Sequence, residues 1–269
     1  MYSGWITQRH TVNWLGAHQK FNKMAYRQLA PYVHMHWFPP LDRLQHFEGY
    51  NGPDGIKVKT IHRHEEPSHF YDPTSQSGPL LDDIENHYQS LAGALSEQNM
   101  VRAAFEAAWL AHTVTDGLTP AHHISYEESL NEMYRNGNHT FRKPRHKVIM
   151  QGETKLQTLQ QNWQMWGGSG LLSMHIHFEL GVAAAVIASN IRGEVKPAKL
   201  KTARKQGPAG FFQARARDIH RLHMYERFGQ QSWTTELART VRRRLAPAIV
   251  QAIAVEWILA AEEAGVARR

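Results

Sequence analysis

Apolar positions along this chain recur at steps of three and four residues, the spacing that lines one face of a helix. Trp14, His18, Phe21, Ala25 and Leu29 share such a stripe over residues 14–30, and Pro31 stops the run. From Pro79 to Leu95 the inward set is Leu80, Ile84, Tyr88 and Leu91. Ser96 is placed to cap a next helix over 97–115, whose face carries Val101, Phe105, Ala108 and His112 and runs on to Asp116. Residues 153–166 form a further helical stretch, Gly167–Gly170 breaks it, and a strongly apolar helix follows from Leu171 to Ile191. The rest reads as helices over 211–228 and 234–263. The second turns Leu237, Val241, Leu245, Ile249, Ile253 and Trp257 inward and is expected to kink at Pro247.

Three stretches lack a sustained period. Residues 37–79, rich in Gly, Pro, His and charge, read as a long ordered loop, and loops of that length inside a domain tend to be functional. Residues 123–152 are polar, with an Asn-Gly-Asn turn at 136–138, and 193–210 read as a Lys/Gly/Pro-rich connector. No strand alternation or internal repeat is visible. The pattern predicts an all-α fold, a single multi-helix domain over residues 1–269. No run approaches eighteen consecutive apolar residues, so no transmembrane segment is expected. The opening MYSGWITQRHTVNW lacks the apolar core of a signal peptide, so as written the chain carries no export address.

Composition narrows the chemistry. The absence of cysteine excludes disulfides, thiolate metal sites and cysteine nucleophiles, and leaves His, Asp, Glu or backbone groups to hold any metal. Histidine is abundant, at 18 residues, and it is the commonest metal ligand. His34, His36, His46, His62, His64, His139, His146, His220 and His223 lie in polar stretches and receive no role. The net charge of +7 favours phosphates, nucleic acids or anionic membranes as partners. Its densest runs, Arg142–Lys147, Lys196–Lys205 and Arg239–Arg244, read first as solvated faces.

The most specific stretch is HTVTDGLTPAH, residues 112–122. His112 and Asp116 are four apart and share a helical face; Pro120 ends the helix and His122 follows on the turn. Two imidazoles and a carboxylate are thereby delivered to one small volume, a donor set suited to zinc-assisted hydrolysis. His175 and Glu179 repeat the spacing on an apolar helix, where an unpaired carboxylate is costly. Taken alone, that pair reads as readily as a surface glutamate beside a satisfied histidine. His69, within SHFYDP at 68–73, and His18, on the first apolar stripe, say little individually.

Taken in chain order, these residues resemble the zinc-dependent phospholipase C family of bacteria, whose fold is shared with the single-strand-specific zinc nucleases of fungi and plants. The family's leading Trp, first-helix His, upstream Asp, SHFYDP-like His, His-x3-Asp-x5-His run and final His-x3-Glu pair are matched by Trp5, His18, Asp54, His69, His112 with Asp116 and His122, and His175 with Glu179. Pro120 also matches, and AGALSEQNMVRAAFEAAWLAH has the family's helix–turn–helix register. The resemblance covers residues 5–191. It departs in three places. Four residues precede Trp5, whose counterpart is the mature N-terminus, with its amine and carbonyl on metal. Asp42 and Glu48 stand as alternatives to Asp54. The interval from His122 to His175 is longer than the phospholipase pattern and contains Arg142–Lys147.

The resemblance implies up to three zinc ions in one cleft. Asp54, His69, His112 and Asp116 would hold the first, and His122, His175 and Glu179 the second. The third would take His18, the Trp5 backbone and a bridging Asp116. Asp54 would also orient or deprotonate the attacking water. Clustered cations stabilise the charge that grows on a phosphodiester under attack, so no side-chain nucleophile is needed. SHFYDP and a Glu as last ligand look like the phospholipase branch. That points to a glycerophospholipid at a membrane surface, cleaved to diacylglycerol and a phosphorylated head group. A single-strand nuclease acting on nucleic acid is the alternative, since a basic surface suits it equally. A helical metal- or lipid-binding module without catalysis is the second. Tyr50, Phe70, Tyr71, Trp163 and Trp166 could stack bases or cage choline, although each type is more often core.

Overall fold

The structure, a computed structural model, describes residues 16–59, 68–125, 129, 149, 152, 154–187 and 189–268. The chain is mostly helical, with no strand among the described residues, as the spacing of its apolar positions requires. Helix α1 (Ala17–Tyr26) buries His18, Phe21 and Ala25 of the stripe read from the sequence, together with Ala17. Helix α2 (Leu41–His46) and helix α3 (Pro53–Lys59), with 3-10 turns at Met35–Trp37 and Gly49–Asn51, occupy the stretch expected to be a loop. Each is too short for a hydrophobic period to register.

Helix α4 (Pro79–Ser96) opens on a proline and buries Leu80, Ile84, Tyr88 and Leu91. Helix α5 (Met100–Gly117) packs back along it. The junction differs from expectation. The Ser96 hydroxyl donates to the Gly93 carbonyl and closes α4 instead of opening α5. The chain then turns through Gln98, whose φ of 56° is left-handed, and the Asn99 side chain accepts from the Arg102 N–H at 3.1 Å to cap α5. Val101 is consequently 60% exposed, while Ala103, Ala104, Ala107 and Ala111 are buried. From Leu110 to Gly117, α5 is buried on every side, so no single stripe describes it.

Helix α6 (Lys155–Trp166) and helix α7 (Leu171–Ile187) are joined by the Gly167–Gly170 turn. The expected connector is instead the start of helix α8 (Pro197–His220), where Leu200 and Ala203 are buried while Lys201 and Lys205 face solvent. Its helical geometry is interrupted at Gly207, whose φ is 70°, ahead of Pro208. Helix α9 (Met224–Gln231) and helix α10 (Thr235–Thr240) follow. A π turn at Val241–Leu245 then leads into helix α11 (Ala246–Glu263). The distortion expected at Pro247 thus falls just before it, as one widened turn of the helical ladder.

Helix α11 contacts α1, α4, α5 and α8 and forms the centre of the core. Its Trp257 is fully buried, donates to the Ala107 carbonyl at 2.9 Å and packs against Phe38 with ring centres 5.8 Å apart. By length and composition, Lys155–Ile187 and Thr235–Glu263 each contain a window apolar enough to cross a membrane, which a count of consecutive apolar residues does not reveal. The second window is 78% buried and serves as core; the first lies on α7, after the glycine turn.

Candidate metal centre

The site is built on α5, whose last turns carry His112 and Asp116. Thr115 and Thr119 hydroxyls donate to the Ala111 and Thr115 carbonyls, each at 2.7 Å, and tie down the end of the helix. Pro120 starts a 3-10 turn, Pro120–His123, that folds His122 back toward Asp116. The Tyr71 N–H donates to the His122 carbonyl at 3.2 Å, which docks the SHFYDP segment onto this turn. Within that segment each residue has a separate task. His69 enters the site. Tyr71 is fully buried against Phe212, with ring centres 4.9 Å apart. The Asp72 carboxylate accepts from the Thr74 N–H at 2.7 Å and the Ser75 hydroxyl at 2.6 Å, forming the following turn.

Helix α7 supplies His175 and Glu179. Phe178, between them and on another face, is buried among Tyr225, Phe228 and Trp233, with ring centres 5.1, 5.5 and 5.6 Å away. The Trp233 indole donates to the His177 carbonyl at 3.0 Å. This aromatic clamp fixes the rotation of α7 and so the direction of its ligand face.

All eight of the site residues expected among the described positions converge. Asp116 is at the centre and fully buried. One of its oxygens lies 2.5 Å from His69 Nδ1 and 3.2 Å from His112 Nε2; the other lies 3.3 Å from His18 Nε2 and 3.5 Å from His122 Nε2. Glu179 Oε1 lies 3.0 Å from both His122 Nε2 and His175 Nε2. Asp54 Oδ1 is 3.9 Å from His112 Nε2. Trp5 lies outside the described residues, as do the Asn-Gly-Asn turn and the Arg142–Lys147 run.

The structure separates the three candidates for the upstream acid. Asp42 is exposed on α2 and takes no part. Asp54 faces Nε2 of His112. Glu48, fully buried, sits behind the same ring, 2.8 Å from Nδ1. Its other oxygen accepts from the Asn22 side-chain amide at 3.2 Å. Glu48 therefore fixes the orientation of the His112 ring and leaves Nε2 facing Asp54 and Asp116, the usual task of a carboxylate behind a metal-binding histidine. Asn22 is the residue that sequence reasoning misses; its spacing of four from His18 on α1 was the available signal.

The aromatic candidates differ in their surroundings. Tyr71 is core, and the Lys59 ammonium covers the Tyr50 ring at 3.4 Å. Phe70 is half-buried. Trp163 and Trp166 are exposed on α6.

The protonation states suit cation binding. Burial works to raise the pKa of Glu179, yet it is held well below the carboxylate range, with His175 and His122 among the groups that lower it. Burial likewise opposes ionisation of Asp116, and the imidazoles of His122 and His112 overcome it. Asp54 is brought to about 2 against burial, chiefly by His112. Burial keeps His122 at about 3, so its imidazole is neutral near pH 7, as a ligand must be. Glu48, Asp54, Asp116 and Glu179 thus concentrate acid in one buried volume, and His112 responds with a pKa raised above normal by Asp116, Glu48 and Asp54 despite burial.

Nitrogens sealed from solvent that make no hydrogen bond, namely Nε2 of His18, His69 and His112, converge on the same volume. Donor atoms within 4.8 Å of one another form four sets: His18, Glu48, His112; Asp54, His69, His112; His69, Asp116, His122; and His122, His175, Glu179. These buried groups could hold metal ions, and imidazole with carboxylate is the donor chemistry of open, catalytic sites. No protein-family model, curated protein or solved structure matches the chain.

Proposed function

We propose that this chain is a zinc-dependent phosphodiester hydrolase of the phospholipase C kind, cleaving a glycerophospholipid to diacylglycerol and a phosphorylated head group. The observation that carries the reading is the convergence of α1, the SHFYDP segment and α5 with its 3-10 turn on one buried carboxylate, Asp116, with α3 joining through His112 and α7 through His122. Asp54, His69, His112 and Asp116 would hold one ion, and His122, His175 and Glu179 a second. His18 and Asp116 would contribute to a third. Bound there, such ions would stabilise the growing charge on the phosphate and acidify a water.

The chain's own residues divide the remaining work. Glu48 and Asn22 hold the His112 ring in its ligating orientation. Asp116 presents an oxygen to either side and is positioned to bridge. Asp54, 23% exposed at its side chain, is the most open acid of the set and can reach an incoming water. A carboxylate with a pKa near 2 accepts a hydrogen bond well but is a weak base, which favours orienting the water over removing its proton.

The test uses protein stripped by chelator and reloaded with zinc, presented separately with phosphatidylcholine vesicles and with single-stranded DNA or RNA. Zinc-dependent release of diacylglycerol is expected. It should fall by more than about a hundredfold in Glu179→Ala and in His122→Ala. Cleavage of nucleic acid alone would move the assignment to the nuclease branch. Tight zinc binding with no turnover on either would leave a non-catalytic module.

A further inference from the structure

Helix α6 turns toward solvent the kind of face that helices normally bury. Leu156, Leu159, Trp163 and Trp166 stand at steps of three and four along it and are 65, 67, 73 and 43% exposed. Among its residues only Gln161 and Met165 are buried. The other exposed residues on it are Gln160, Gln164 and Lys155, the helix's one charged residue, at its first position. A contiguous exposed stripe of large apolar residues marks an interaction site.

Three observations identify the occupant. The apolar window within residues 155–187, with a mean hydropathy of 1.5, falls on α7, the helix that α6 leads into, and only 39% of that window is buried in the fold. Membrane-like composition is therefore left on the outside of the helix that packs against α6. The stripe pairs leucines with tryptophans, the side chains that settle at the boundary of acyl chains and head groups. Finally, Arg239, Arg242, Arg243 and Arg244 are exposed and pair with no acid among the described residues. They lie on α10 and the π turn, which pack against α7, the partner of α6. Exposed, unpaired arginines on elements packed against α7 supply the charge that an anionic lipid surface complements.

We propose that α6 lies flat in the interface of an anionic phospholipid bilayer and holds the protein there through Leu156, Leu159, Trp163 and Trp166. The surface would recruit the chain independently of catalysis. Because α6 runs through the glycine turn directly into α7, docking also keeps His175 and Glu179 close to the membrane, a consequence that rests on the lipid substrate proposed above.

The experiment sediments the zinc-loaded full chain with vesicles of phosphatidylcholine alone or of phosphatidylcholine with phosphatidylglycerol. The parent is compared with a Leu159→Gln/Trp163→Gln double variant. Hydrolysis of soluble bis(p-nitrophenyl) phosphate is followed in parallel, and circular dichroism checks the fold. The parent should partition preferentially onto the anionic vesicles. The double variant should lose about tenfold or more of that partitioning, with soluble turnover and helicity unchanged. Equal partitioning of parent and variant, or no binding of the parent, would overturn the proposal. So would a concentration-dependent dimer in the absence of lipid that the variant loses, since a second copy would then cover the stripe. Vesicle binding without any turnover of the soluble diester would instead overturn the catalytic reading and leave the docking surface standing.

Discussion

Glu256 offers a stability test whose size follows from the structure. It lies on α11 beside Trp257, is fully buried, and neither carboxyl oxygen has a hydrogen-bond partner among the described residues. Burial raises its pKa to about 8, whereas an exposed glutamate titrates near about 4.3. The folded chain therefore keeps a proton that the unfolded chain releases. The stability due to this group is fully present below the unfolded value, declines by about 1.4 kcal/mol per pH unit through the interval, and is lost once pH passes about 8. Glu256→Gln retains the shape and abolishes the titration. Between pH 6 and pH 9 the variant should gain about 2–3 kcal/mol relative to the parent. Urea unfolding of both chains at the two pH values, with zinc present throughout, measures this difference and cancels the contribution of every other titrating group. A parent–variant difference that stays constant across the range would show that Glu256 is ionised or partnered in the fold, and the reasoning from burial would fail.

Three further outcomes are expected. Glu48→Ala, which strips the carboxylate from behind His112, should weaken zinc binding by about 10- to 100-fold in a chelator-competition titration, with Glu48→Gln retaining part of the affinity; unchanged affinity in both would remove Glu48 from the support of the site. A Cβ at Gly181 would lie 1.8 Å from the Trp233 ring, so Gly181→Ala should destabilise by about 1–3 kcal/mol in chemical denaturation and lower zinc affinity by shifting the α7 ligand face. Asn99→Ala should cost about 1 kcal/mol through the lost α5 cap, while Ser96→Ala, at the position where sequence alone suggests the cap, should cost less.

The readability of this chain varied with the range of the interaction. Helices whose apolar stripe faces one neighbour, such as α1 and α4, are plain in the periodicity. The late turns of α5 are not, because burial on all sides erases the stripe and leaves only HTVTDG to mark the position. Helices α2 and α3 are shorter than two full periods, and α8 hides behind lysines that lie on its solvent face. The donor set was legible because i,i+4 spacing is a local geometric fact for His112 with Asp116 and for His175 with Glu179. Ordering the upstream acids was not, since Glu48 and Asp54 are distinguished only by which nitrogen of a distant imidazole each meets. The exposure of Leu156, Leu159, Trp163 and Trp166 was equally hidden, because an apolar stripe reads the same whether a neighbouring helix or a bilayer covers it.

Elemental analysis of the purified chain, after exhaustive chelation, zinc reloading and removal of free metal, reaches most directly to the convergence around Asp116. Retention of at least two zinc ions per chain is expected, with a smaller number in a folded Glu179→Ala variant. A chain that keeps its helicity yet retains no zinc, or retains the same amount after Glu179 is removed, would contradict the assignment of these histidines and acids to a metal centre.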